Sequence, residues 1–126
     1  MKDTVLFAAA EALISHELGV DTVYRSGCDS CFLYGGSYVE VLPSEYIDEQ
    51  EPPLFHIRGT ASKRPSDVCV FSVKKGLNWD FYIVRSSVLD SCSGGQSCVS
   101  LPLIEPVSLH AKIGGIKQAV RLACNM

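Results

Sequence analysis

Along the chain, the apolar positions first recur at helical spacing and then switch to the alternating rhythm of strands. Val5, Ala8, Ala9, Ala12 and Leu13, with His16 at the end, place one apolar stripe on a helix over residues 3–18. Asp3 precedes that stripe as a capping residue, and Gly19 follows it as a stop. Glycine takes the left-handed cap conformation without steric cost. Val20–Arg25 reads as a short strand running into a turn at Ser26-Gly27. Cys31–Tyr34 and Ser37–Leu42 flank Gly35-Gly36, and two glycines between apolar runs predict a tight hairpin. Pro43 ends its second strand.

The acidic stretch 44–53 predicts an exposed loop, and Leu54–Arg58 resumes strand character before a polar segment over 59–66. Val68–Val73 and Asp80–Arg85 are rich in β-branched and aromatic residues and predict two firm strands. Residues 86–98, crowded with Ser, Gly and Cys, predict a loop. Pro102 and Pro106 limit Val99–Val107 to edge or extended structure. Ser108–Cys124 predicts a closing helix, which Gly114-Gly115 weakens by about 1 kcal/mol each relative to alanine. Helix, then four to six strands in a mixed sheet, then helix, makes one α/β (α+β) domain over 1–126.

Composition narrows the picture without redirecting it. With 126 residues, 47% hydrophobic and 20% charged, the chain has the make-up of an ordered globular domain that buries a core unaided. A net charge of -3 supplies no global field toward nucleic acid, so such binding needs a local basic patch. Arg58, Lys63 and Arg64, joined by Lys74 and Lys75, are the residues available for one. The opening MKDTVLFAAAEALISHELG is interrupted by Asp3 and Glu11, which reads as a helix rather than a secretory signal. No apolar run approaches the roughly 20 residues that span a bilayer. The expectation is therefore a cytoplasmic protein, off the membrane, with its six cysteines mostly reduced.

Cys28-x-x-Cys31 has the spacing of half a zinc site or a redox pair, but no second such pair completes it. Cys92 and Cys98 bracket a glycine-bearing segment that an oxidising compartment would allow to close. The plainer expectation for Cys31, Cys69 and Cys124 is free thiols, buried or half-buried. Trp79, Phe81 and Tyr82 are expected in the core or on a sheet face, and secondarily as a base-stacking platform. Strands this aromatic and β-branched can also pair across an open edge, which makes a homodimer the expected assembly.

The element order and a set of acidic positions resemble the PD-(D/E)xK nuclease superfamily over roughly residues 3–90. Glu11 stands where that family's first helix often carries a glutamate, and Asp29 and Glu40 match the two acids of its hairpin. Asp67-Val68-Cys69-Val70-Phe71 and Phe81-Tyr82-Ile83-Val84-Arg85 match its later strands, with Arg85 in place of the usual proline. The resemblance implies Mg²⁺ held by Asp29 and Glu40, with Glu11 in support. There the ion would activate water and neutralise charge on a scissile phosphate. The family's lysine, two residues after the second acid, is here Leu42, which leaves Lys63, Lys74 or Lys75 as a displaced cation. The expected function is therefore a non-catalytic binding or interaction protein on a nuclease-like scaffold, with DNA or RNA as partner. The alternative is a Mg²⁺-dependent nuclease that uses Lys63 or Lys74. The competing reading of the acids is Glu40 as a solvent-facing strand residue and Asp29 as a turn former.

Overall fold

A computed structural model describes residues 4–24, 30–42, 44–45, 54–56, 66–93 and 98–125. In chain order the elements are α1 (Thr4–Leu18), β1 (Cys31–Tyr34), β2 (Ser37–Leu42), β3 (Ser44–Glu45), β4 (Leu54–His56), β5 (Val68–Lys75) and β6 (Asn78–Arg85). They continue with α2 (Ser86–Ser93), β7 (Cys98–Ser100), α3 (Leu101–Ile104), β8 (Leu109–Ala111) and α4 (Ile116–Cys124). Five strands form a mixed sheet in the order β1-β2-β5-β6-β8, and β3-β4-β7 form a smaller one. All neighbours in the large sheet are antiparallel except β2 and β5, which run parallel. The α/β class and the two-helix frame expected from the sequence are therefore what the chain builds.

Both hairpins follow from glycine. Gly35 and Gly36 take φ of 59° and 84°, left-handed at both central positions of the β1–β2 turn, and Gly76 takes φ of 62° between β5 and β6. Such turns match the right-handed twist of the strands they join. Side chains then alternate between two covered faces. Phe32, Val39, Val41, Val68, Val70, Phe81 and Ile83 share one core with Ile14 and Leu18 of α1 and with Ile116, Ala119, Val120 and Ala123 of α4. Leu42, Cys69, Phe71, Val73, Tyr82 and Val84 share the other with Phe55, Leu89, Val99, Leu101 and Ile104. The register sets Cys31 opposite Glu40, Glu40 opposite Cys69 and Cys69 opposite Val84, so one cross-strand row on the second face runs through Glu40.

Several local expectations are corrected. The buried face of α1 is Ala10, Ile14 and Leu18, flanked by Phe7 and Leu13, while Val5 is 76% exposed. The helix is apolar on more than one side, so spacing alone does not choose a face. Burying isoleucine and leucine yields more than burying alanine, and that decides it. Residues 86–93 form α2 instead of a loop, because Leu89 is drawn fully into the second core, against the modest propensity of its serines. Of the strand expected at 20–25, the described residues 20–24 show one bridge, between Thr22 and Phe32. The segment after Cys98 is a short strand followed by helical turns, with Pro102 in the first turn of α3, where its missing N–H is not needed. The closing helix is shorter than expected: β8 precedes it, and Gly114 and Gly115 fall in a 3-10 turn before α4 begins. The capping role of Asp3, Pro43, the turn at 26–27 and the stretches 46–53 and 57–65 lie outside the described residues.

Candidate functional site

Glu40 is the only one of the sequence's two hairpin acids that falls among the described residues; Asp29 lies outside them. Glu40 is fully buried, with no surface open to solvent. Its place on β2 puts it on the sheet face covered by the small sheet, α2 and α3. The Ser66 hydroxyl donates to Glu40 Oε1 at 3.0 Å, and the Cys69 thiol lies 3.8 Å from the same oxygen. Ser66 Oγ stands 3.1 Å from Ser86 Oγ, and Ser86 Oγ stands 3.3 Å from Cys69 Sγ. Glu40, Ser66, Cys69 and Ser86 thus make a polar cluster inside an apolar layer, and a buried polar group is tolerated when it is bonded in this way.

The backbone around the cluster is tied by its neighbours. Asp67 Oδ2 accepts the Tyr38 N–H at 2.8 Å, the Asp67 N–H donates to the Tyr38 carbonyl at 2.9 Å, and the Ser86 N–H donates to the Asp67 carbonyl at 3.0 Å. Asp67 therefore locks the starts of β2 and β5 to the first residue of α2, which fixes Ser66 and Ser86 over Glu40.

These contacts correct the solvent-facing reading of Glu40. They also argue against a Mg²⁺ site on it. Mg²⁺ demands near-octahedral oxygen ligands and keeps several waters. The Glu40 carboxyl has no surface open to solvent, and its described neighbours are a hydroxyl and a thiol in place of the further oxygen anions and waters that Mg²⁺ takes. Glu11 does not reach it either, since α1 covers the opposite face of the sheet. Lys74 is on that opposite face too, by strand alternation from Cys69, and sits about 17 Å along β5 from it at roughly 3.3 Å per residue. Lys63, Arg58 and Arg64 lie outside the described residues, as does the Lys75 side chain. Among the described residues, no group of three or more His, Cys, Asp and Glu is arranged to hold a metal ion.

Lys74 instead stands 5.9 Å from the centroid of the Trp79 ring, its direct partner across the β5–β6 hairpin. Trp79 stacks on Phe81 at 6.0 Å and 12°, and Leu77 at the hairpin tip is 95% exposed. Phe81 and Tyr82 are core residues and Trp79 is half-buried, as the sequence led one to expect. Cys31 and Cys69 are buried and Cys124 is half-buried, also as expected. Cys28 and the Cys92 and Cys98 side chains lie outside the described residues.

A second polar cluster was not legible in the sequence. Asp80 Oδ1 accepts from Lys112 Nζ at 2.5 Å and pairs with His110 Nε2 at 2.7 Å, and the His110 ring lies 5.1 Å from that of Tyr82. Only the β6–β8 register, which sets Tyr82 opposite His110, brings these residues together. Burial pushes the Asp80 carboxyl up, but the hydrogen bonds and charges of Lys112 and His110 outweigh it and hold the group below the usual carboxylate range. Burial pushes the Tyr82 phenol up, and the charges of Glu105 and Asp80, with a hydrogen bond to Glu105, add to that.

A depressed folded-state pKa contributes stability above the unfolded value, and that stability is lost as pH falls through the folded one. The wild type is therefore expected to lose about 1 kcal/mol more than Asp80→Asn as pH drops from 6 to 3, because Lys112 and His110 are exposed and solvent-screened. Urea midpoints at both pH values check this. Equal losses in the two proteins would mean that the cluster does not stabilise the fold. No described helix is long and apolar enough to cross a membrane. Comparison of the chain with protein-family models, with curated proteins and with solved structures finds no match.

Proposed function

We propose that the chain is a non-catalytic binding protein whose partner is single-stranded nucleic acid. The observation that carries the non-catalytic half is the full burial of Glu40, whose carboxyl accepts a hydrogen bond from Ser66 inside the core. The partner class is supported by Lys74 and Trp79, which set a cation and a part-exposed indole side by side near the end of the longest hairpin. Aromatic stacking contributes about 1–3 kcal/mol per base and tolerates any sequence, while a neighbouring lysine meets the phosphate. With a net charge of -3, the affinity rests on this local pairing and falls steeply with salt.

Trp79 is the only tryptophan, so its fluorescence reports the contact directly. Titration with oligo-dT or oligo-U is expected to quench it saturably. Lys74→Ala is expected to weaken the binding about 5- to 10-fold, and added salt to weaken it further. The same oligonucleotides are expected to stay intact in Mg²⁺ or Mn²⁺. Absence of quenching would rule out the partner class. Metal-dependent cleavage abolished by Glu40→Gln would overturn the non-catalytic reading.

A further inference from the structure

On the sheet face opposite Glu40, the β1–β2 turn and the last turn of α4 enclose a cleft of about 340 Å³ lined by Tyr34, Gly35, Arg121, Cys124 and Asn125. That volume suits a small organic molecule. Among the described lining residues the charged one is Arg121, and it is held in place, since Arg121 Nε donates to Tyr34 Oη at 3.0 Å and the guanidinium lies 6.0 Å from the Tyr34 ring centroid. Fixing Nε in this way leaves the terminal Nη pair as a planar fork, the geometry that binds a carboxylate through two parallel hydrogen bonds. Lys117, one turn back on α4, adds positive charge to the same side of the helix.

We propose that this cleft binds a small monocarboxylate, with Arg121 as the carboxylate receptor and Tyr34 as the residue that positions it. The carbonyl end of α4 opposes an anion, but it amounts to roughly half an elementary charge, screened by water, against the full charge and two directed hydrogen bonds of Arg121. A carboxylate presents two coplanar oxygens to the two Nη donors, and its single charge is matched by that of the guanidinium. Among the described residues, the rest of the lining is neutral: the Asn125 side chain, Cys124 and the positive-φ Gly35, which bears no side chain.

Cys124 sits one turn after Arg121 on α4 and lines the same cleft, so its alkylation reads occupancy. Iodoacetate carries the carboxylate, and iodoacetamide is its neutral counterpart. Site-resolved mass spectrometry of the full chain is expected to give an iodoacetate-to-iodoacetamide rate ratio at Cys124 about 5- to 10-fold higher in the wild type than in Arg121→Gln. Arg121→Lys, which keeps the charge and loses the fork, and Tyr34→Phe, which frees Nε, are expected to fall between them. Sodium benzoate is expected to protect Cys124, and benzamide to leave it reactive. Equal ratios in the wild type and Arg121→Gln would overturn the proposal, as would a Cys124 that reacts with neither reagent, because the cleft would then be closed. Protection by inorganic phosphate but not by benzoate would overturn the ligand class.

Discussion

Phe71→Ala is expected to remove about 3–5 kcal/mol of unfolding free energy, a large share of what a domain of this size possesses. Phe71 is fully buried on β5, the central strand of the large sheet, and its ring tilts at 56° against Phe55 at 4.8 Å. Phe55 belongs to β4, so this ring pair is a direct contact between the two sheets. Truncation loses the transfer free energy of the ring and leaves a cavity that Leu42 and Tyr82, its neighbours in the cross-strand row, cannot fill. Urea denaturation at neutral pH is the measurement. Leu77→Ala, at a tip that is 95% exposed, serves as a control and is expected to change stability by less than about 0.5 kcal/mol. A Phe71→Ala loss under about 1 kcal/mol would show that the small sheet does not rest on this ring.

How far the sequence could be read depended on whether the signal was local. The Gly35-Gly36 hairpin and the β5–β6 pair were legible because turn chemistry and strand composition agree there over a few residues. The working face of α1 was not, since an alanine-rich helix offers several apolar stripes and the sheet selects the one with Ile14 and Leu18. Helix α2 was hidden for the converse reason: its serines and cysteine read as loop, and it exists because Leu89 has a core to enter. Glu40 carried a signal that went unused. In Val39-Glu40-Val41-Leu42, apolar residues occupy both parities, the mark of a strand covered on both faces, so a glutamate within it has to be buried. The Asp80, His110 and Lys112 cluster had no sequence signal, because its members come together only through strand register.

That reading of Glu40 makes the sharpest separation between a structural carboxyl and a retained catalytic one. Glu40→Ala is expected to cost about 2–4 kcal/mol, combining a lost buried hydrogen bond with a cavity in a layer that cannot collapse onto it. Glu40→Gln keeps the volume and an acceptor for Ser66, and is expected to cost about 1 kcal/mol or less. Pairing Glu40→Ala with Ser66→Ala should show a coupling of about 0.5–3 kcal/mol, since the two side chains share one bond. In each variant the Trp79 response to oligonucleotide is expected to match the wild type whenever the protein is folded, because Trp79 lies on the other face of the sheet. A catalytic carboxylate behaves in the opposite way. Buried for function and not for packing, it strains the fold, and its removal commonly leaves a protein as stable or more stable while activity disappears. Denaturation curves and fluorescence titrations on the same samples therefore separate the two cases: a loss of stability with binding intact makes Glu40 part of the scaffold, and a gain of stability with a loss of function would make it part of a site.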